Sequence, residues 1–336
     1  MNVLVTGIDG FVGSHLADAL LKDPEVRLTG ITRSRVGQTL LSVQQQTSLS
    51  AQKQTGMSVP HLVADVTNFD ALSDAIRQAA PQKVFHIAGQ AFVPTSFENP
   101  NETFQSNFQG TLNVLEAVRR TQAAGAPPCA VLVVSSGEVY GSVPEAKLPI
   151  DENAPFHPEN PYAVSKACAD MIARQYRDSF GVDVVVARPF NHFGPRQREL
   201  FVGSAFAKQL AEIKTGVRPP RMMVGGLDAR RDFTDVRDIV DAYIRLLATK
   251  QKLSVFNICS ENAISIRTLL DTLIELAGVK VEIVTDPDRL RANENPLLIG
   301  SAKRIREATG WAPSIPMRTT LNDLLHYWEE RISRPS

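Results

Sequence analysis

A chain of 336 residues with 43% hydrophobic and 21% charged residues has an ordinary globular composition. At roughly 150 residues per domain its length suggests two lobes. Lys plus Arg (36) balance Asp plus Glu (36), so the net charge is zero. No overall field recruits nucleic acid or an anionic membrane, and an anionic substrate has to be held by local arginines. Cys129, Cys168 and Cys259 are too far apart for a CxxC motif or a disulfide framework, which fits a reducing cytoplasm. Cys168 reads as a small packing residue, and no metal is expected. The chain opens without a basic leader or cleavage site, and no apolar run approaches the ~18 residues that span a bilayer. A cytoplasmic location with no membrane partner is expected.

In chain order, residues 2–6 predict a strand, followed by a glycine-rich turn and a helix to residue 21. Residues 26–32 predict a second strand. Residues 37–59, rich in Gln, Ser and Thr, read as a surface excursion. Strand 61–63, helix 71–79, strand 83–88, helix 103–121, strand 130–135, helix 161–180 and strand 182–188 then alternate. Such alternation implies right-handed βαβ units and a parallel sheet covered on both faces. After Pro189 the rhythm breaks into loops rich in Pro, Gly and Arg, with helices at 203–215, 235–248, 265–277 and 319–331. The expected fold is α/β: a Rossmann-type doubly wound parallel sheet (1–188) with a smaller C-terminal substrate-binding lobe (189–336), some of whose segments return to the first.

The turn Thr6-Gly7-Ile8-Asp9-Gly10-Phe11-Val12-Gly13 lies between a predicted strand and a predicted helix. There, one glycine permits the tight turn, the next lets backbone approach a pyrophosphate, and the third allows close helix–strand packing. Gly7, Gly10, Phe11, Val12 and Gly13 are therefore candidate dinucleotide contacts, against the alternative of a plain turn. The second strand ends in Thr32-Arg33-Ser34-Arg35 with no carboxylate for a ribose 2′-hydroxyl. Arg33 and Arg35 suit a 2′-phosphate instead, unless they are solvated loop residues. NADP(H) is favoured, with NAD(H) possible. Asp65 and Val66 follow the third strand, where Asp65 is placed for an adenine amino group or for helix capping. Ala88, at the small-residue end of the fourth strand, lets backbone approach the cofactor.

Tyr162 and Lys166 share a helix face, four residues apart. A free phenol, with a pKa near ~10, is a poor proton-transfer partner at neutral pH. A neighbouring ammonium and an oxidised nicotinamide would lower it. Ser136, in Ser135-Ser136-Gly137-Glu138-Val139-Tyr140-Gly141, follows a predicted central strand at the edge where α/β sheets hold ligands. It can hold a carbonyl oxygen that Tyr162 protonates.

Together, Gly7/Gly10/Gly13, Asn107-x-x-Gly110-Thr111, Ser136…Tyr140-Gly141 and Tyr162-x-x-x-Lys166 resemble the extended short-chain dehydrogenase/reductases, in order and spacing, over nearly the whole chain. The resemblance implies Tyr162 as acid/base, Lys166 on the nicotinamide ribose and Ser136 on the substrate oxygen. Asn107 lies near the active site or is structural. The second half is similar to members acting on nucleotide sugars. Asn191, in Arg188-Pro189-Phe190-Asn191-His192, and Arg231, in Arg230-Arg231-Asp232-Phe233, match residues that touch the substrate diphosphate. Arg291 and Glu294 match an Arg-x-x-Glu segment of GDP-mannose enzymes, in which the acid contacts the nucleotide ribose. Val202 and Lys208 join the implied substrate contacts, although each basic residue alone reads equally as surface. His86–Pro94, Ala187–Gln197, Phe201-Val202 and Ala229–Asp238 most resemble reductases of GDP-4-keto-6-deoxymannose. The implied reaction is NADPH-dependent reduction of the 4-keto group of this GDP-linked sugar, to GDP-D-rhamnose or its C4 epimer GDP-6-deoxy-D-talose.

Glu138 stands where GDP-mannose 4,6-dehydratases carry the base that removes the C5 proton, although Gly137 replaces the polar residue that precedes it there. A dehydratase, a bifunctional enzyme, a nucleotide-sugar 4-epimerase and a non-catalytic cofactor sensor are the competing readings. Helices 103–121 and 161–180 resemble the pair that forms a four-helix homodimer interface in the family, with Ala163, Ala167 and Ala169 permitting close packing, unless the apolar positions there only face the sheet.

Overall fold

The computed structural model describes residues 1–33, 59–248, 255–289 and 295–333; the 37–59 excursion, Arg35, Arg291 and Glu294 lie wholly or almost wholly outside them. The first lobe alternates as the hydrophobic pattern requires. Strands β1 (Asn2–Thr6), β2 (Arg27–Thr32), β3 (His61–Val63), β4 (Lys83–His86), β5 (Ala130–Val134) and β6 (Asp183–Pro189) are joined through helices α1 (Phe11–Leu20), α2 (Phe69–Ala79), α3 (Val93–Glu98), α4 (Pro100–Phe104), α5 (Gly110–Ala123) and α6 (Pro161–Phe180). Beyond β6 come β7 (Asn191–Phe193), α7 (Val202–Lys214), β8 (Arg221–Val224), β9 (Arg230–Asp235), α8 (Val236–Ala248) and β10 (Val255–Ile258). Next are β11 (Ala263–Ser265), α9 (Ile266–Ala277), β12 (Glu282–Thr285), β13 (Leu297–Leu298), α10 (Lys303–Thr309) and α11 (Met317–Ser333).

The main sheet runs β10-β6-β5-β4-β1-β2-β3, with every pair parallel. Alternate residues of one strand face opposite layers. Val3 and Val5 pack on one side with Leu16 of α1 and Ile239, Val240 and Tyr243 of α8. Leu4 packs on the other with Leu72 and Ile76 of α2 and Val114, Leu115 and Val118 of α5. Strand β10 and helix α8, although late in sequence, thus complete the first lobe. The second lobe has its own core of α7, α9 and α11 residues around Phe206, Leu210, Leu270 and Leu324. The small pairings β11-β9-β13, β7-β9 and β12-β8 accompany it.

The sequence-predicted helices begin and end within about three residues of those observed, with one exception that matters. Residues 103–121 are not one uniform helix, because a π-helical turn, Gln105–Gln109, separates α4 from α5. Helix α3 and the short second-lobe strands were not foreseen, being too short for periodicity to reveal.

Candidate active site

All strands of the main sheet end on one edge, and the site is assembled from the residues that follow them. The strand order reverses between β1 and β4, which opens the crevice where such sheets bind ligands. Gly7 has φ +71°, and a Cβ there would lie 2.9 Å from the Ala88 backbone, so the glycine lets β1 and β4 close together. At Gly13 a Cβ would meet the Gly7 carbonyl oxygen at 2.1 Å. Helix α1 begins after Gly10, which provides no side-chain cap. The first amides of α1 therefore have no intrahelical partner and face an open glycine. This cradle fits a pyrophosphate group.

Helix α6 is built to hold its first turn still. The Asn160 side chain accepts from the Ala163 amide at 2.8 Å, Pro161 occupies the first turn, and Gly181 closes the helix at φ +69°. Tyr162 and Lys166 are both buried (9% and 7% exposed), and so is Ser136 (7%). The Ser136 side chain, which accepts from the Glu138 amide at 3.1 Å, and the Glu138 carboxylate both lie near enough to act on the Tyr162 phenol. Lys166 Nζ donates to the Val134 carbonyl at 2.9 Å. Burial pushes the Tyr162 phenol up to about 12; the Ser136 side chain offsets this in part and the Glu138 charge adds to it. The lowering expected from a neighbouring ammonium is not seen: burial leads, and the Lys166 charge is not among the causes that act on the phenol. Lys166 is itself pushed down by burial, to about 8.

Behind this group runs a directed hydrogen-bond chain. Thr111 Oγ1 donates to the Asn107 carbonyl at 2.6 Å, so it accepts from His86 Nε2 at 3.1 Å. His86 Nδ1 accepts from Thr6 Oγ1 at 2.8 Å, which in turn accepts from the Ala88 amide at 3.2 Å. Burial and the Lys166 charge push His86 down to about 3, so the ring is neutral. The π-helical turn places the Asn107 side chain toward the site: Nδ2 donates to Gln90 O (3.0 Å) and Ser165 Oγ (2.9 Å), and Oδ1 accepts from the Gln90 amide (2.8 Å).

Beneath the site, Arg188 of β6 grips Asp170 of α6 with two bonds, of 2.7 and 3.0 Å, and donates to Tyr140 OH at 2.7 Å. Tyr140 OH donates to Asn257 of β10 at 2.7 Å. Arg188 is 2% exposed and Asp170 0%, so this pair locks the catalytic helix to the sheet in a dry interior.

On the substrate side, Asn191 of β7 has a buried Oδ1 with no hydrogen-bond partner among the described residues. Arg231 is buried in β9, its Nη1 donating to the Arg230 carbonyl at 3.0 Å. Val202 opens α7. Lys208, two turns along, is paired with Glu199 (3.5 Å) and Glu212 (3.9 Å) and stacks on Trp328. Arg33 directly follows β2 and is exposed, whereas Val66 is buried. Asp65 Oδ1 accepts from the amide and hydroxyl of Thr67, both at 2.8 Å, while capping of α2 falls to Asn68. Sequence reading missed the His86 chain and Phe190, whose ring lies 3.0 Å from a Cβ built on Gly137. Apolar strand ends alone carried no sign of either.

Fold and site define a dinucleotide-binding oxidoreductase of the extended short-chain dehydrogenase/reductase type. The family model for GDP-mannose 4,6 dehydratase matches residues 4–324, and the chain belongs to that family. It is 38% identical over 330 residues to a GDP-6-deoxy-D-mannose reductase of Pseudomonas aeruginosa, covering 98% of each chain. It is 30% identical to GDP-mannose 4,6 dehydratase 2 of Arabidopsis thaliana, covering 93% of this chain and 82% of that one. The solved structure of RMD from Pseudomonas aeruginosa complexed with NADPH superposes with a TM-score of 0.82 at 38% identity, covering 98% of this chain and 100% of that one. Among the described residues no helix is long and apolar enough to cross a membrane.

Proposed function

We propose that this chain reduces the 4-keto group of GDP-4-keto-6-deoxy-D-mannose, with NADPH preferred and NADH accepted, giving GDP-D-rhamnose or GDP-6-deoxy-D-talose. The observation that carries this is the buried Ser136–Tyr162 pair, with the phenol held protonated, beside the glycine-turn cradle. Likeness to the Pseudomonas aeruginosa reductase and to RMD complexed with NADPH supports the substrate and the cofactor.

Bound NADPH would supply the hydride that reaches the sugar C4. Gly7, Gly10, Phe11, Val12 and Gly13 would cradle its pyrophosphate, Asp65, Val66, Ala88 and Asn107 would line its path, and Arg33 would meet the 2′-phosphate. Ser136 orients the keto oxygen. Tyr162 gives its proton to that oxygen as charge develops there, and the phenolate is reprotonated from solvent. Lys166 holds the nicotinamide ribose and keeps positive charge near the phenolate. Asn191 Oδ1 accepts from a sugar hydroxyl beside the diphosphate, whose charge Arg231 meets. Asn191 is half-buried, and its Oδ1 is enclosed and without a hydrogen-bond partner among the described residues, as a ligand contact would leave it.

Glu138 favours one second reading, 4,6-dehydration of GDP-mannose, because its carboxylate stands beside Tyr162. Against it, Gly137 packs under the Phe190 ring, which would have to shift to admit the polar residue that dehydratases carry there. Incubation with NADPH and each sugar separates the two. The reductase oxidises NADPH only with the keto sugar; conversion of GDP-mannose without net cofactor consumption would establish the dehydratase. Proton NMR of the product distinguishes rhamnose from talose.

We also propose a homodimer through α5 and α6. Met171 (57%) and Phe180 (51%) of α6 and Phe97 (63%) of α3 are large apolar residues left exposed on the single chain.

A further inference from the structure

Asp9 takes no part in the reduction described above. It precedes Gly10 in the glycine turn and is half-buried, and its Oδ1 is enclosed with no hydrogen-bond partner among the described residues. A buried acceptor left without a donor is costly, so such an atom calls for a reason. Its surroundings supply one. Thr6 lies in register with Ile31, and the Gly7 amide donates to the Ile31 carbonyl at 3.2 Å, so the turn passes over the carboxyl end of β2. Gly30 of β2 lacks a side chain, and Ile8 and His61 fill the space beside it: a Cβ there would meet them at 2.6 and 3.1 Å. The charges that act on Asp9 are those of His61, beside it on β3, and of Arg33, at the end of β2. Neither hydrogen-bonds to Oδ1 among the described residues.

In doubly wound sheets the adenosine ribose lies over the end of β2, where an acid accepts from its hydroxyls. Here β2 ends in Thr32-Arg33 with no acid, and the structure brings a carboxylate to that place from the glycine turn instead. We propose that Asp9 is the residue that reads the adenosine ribose: Oδ1 accepts a hydrogen bond from the 2′-hydroxyl of NADH. The same carboxylate repels the 2′-phosphate of NADPH, which Arg33 attracts. The balance between Asp9 and Arg33 sets the cofactor preference and keeps NADH usable. This rests on the dinucleotide-binding half of the function proposed above and not on the sugar.

The test is the dissociation constant of NADPH and of NADH, measured by calorimetry without sugar, with adenosine 2′,5′-bisphosphate and AMP as probes of the ribose end alone. Asp9→Asn keeps the shape and removes the charge; Asp9→Ser removes both and serves as the second variant. Both are expected to tighten NADPH and weaken NADH, moving the ratio about tenfold toward NADPH. Arg33→Ala should move it about as far the other way. A ratio that changes less than about twofold in both Asp9 variants, or that moves toward NADH, overturns the proposal. If the unaltered protein binds neither dinucleotide, this proposal and the cofactor reading fall together. If it binds NADPH but leaves the keto sugar unreduced, the reaction assignment falls and the role of Asp9 stands.

Discussion

The proposed chemistry rests on a phenol that stays protonated until a keto oxygen needs it. Tyr162 is buried and pushed up to about 12, which suits a proton donor in a reduction. Tyr162→Phe removes the transferable proton and little volume. It should cost ~10²–10⁴-fold in kcat/KM while the NADPH dissociation constant stays unchanged. His86 makes a second prediction. Its pKa is about 3 in the folded chain, against about 6.5 when exposed. Between those values the unfolded chain binds more protons, so stability is full above pH 6.5 and is lost as pH falls toward 3. By pH 4 this one ring should withdraw about 3 kcal/mol. Burial also pushes His15 down, to about 4, which adds in the same direction. Urea denaturation at pH 7, 5 and 4 should show a smaller acid loss in His86→Gln than in the unaltered protein; equal losses would contradict the assignment.

Helix α6 matters less for its propensity than for how it is anchored. Asp170 on its inner face is bound twice by Arg188, and both are buried. Asp170→Ala leaves an uncompensated guanidinium and should destabilise by ~3–5 kcal/mol in chemical denaturation, with Asp170→Asn recovering part of it. The loop after β5 is constrained in another way. A side chain at Gly137 would press into the Phe190 ring at 3.0 Å. Gly137→Ser should therefore cost ~1–3 kcal/mol and lower the thermal midpoint. The π-helical turn Gln105–Gln109 shows where element-level reading stops. Residues 103–121 read as one helix because hydrophobic spacing does not record a single extra residue in a turn. The Asn107 hydrogen bonds to Gln90 and Ser165, distant in sequence, favour the bulge.

For the whole molecule, the lobes share elements: α8 and β10 come after the second lobe has begun yet cover and extend the first sheet. The site proposed above would draw on both lobes, with Asn191 and Arg231 from one and Tyr162 and Lys166 from the other. Exposed Met171 and Phe180 lead to an expectation about assembly. Light scattering at micromolar concentration should show a dimer, and Met171→Glu should yield a monomer. A monomer for the unaltered chain would remove the proposed α5–α6 interface.

The sequence by itself determined whatever depends on neighbours along the chain. Glycines three apart between a strand and a helix, Tyr162 and Lys166 one helical turn apart, and the strand–helix alternation are local patterns, and the protein has them where the spacing put them. Only the tertiary structure decided what depends on groups distant in sequence. It buried the Tyr162 phenol, ordered the Thr6–His86–Thr111 chain, left the Asn191 Oδ1 without a partner among the described residues, and carried Asp9 toward the end of a strand that lacks an acid. Burial and charge pairing are properties of a neighbourhood, and for these residues the neighbourhood exists only once the sheet has closed.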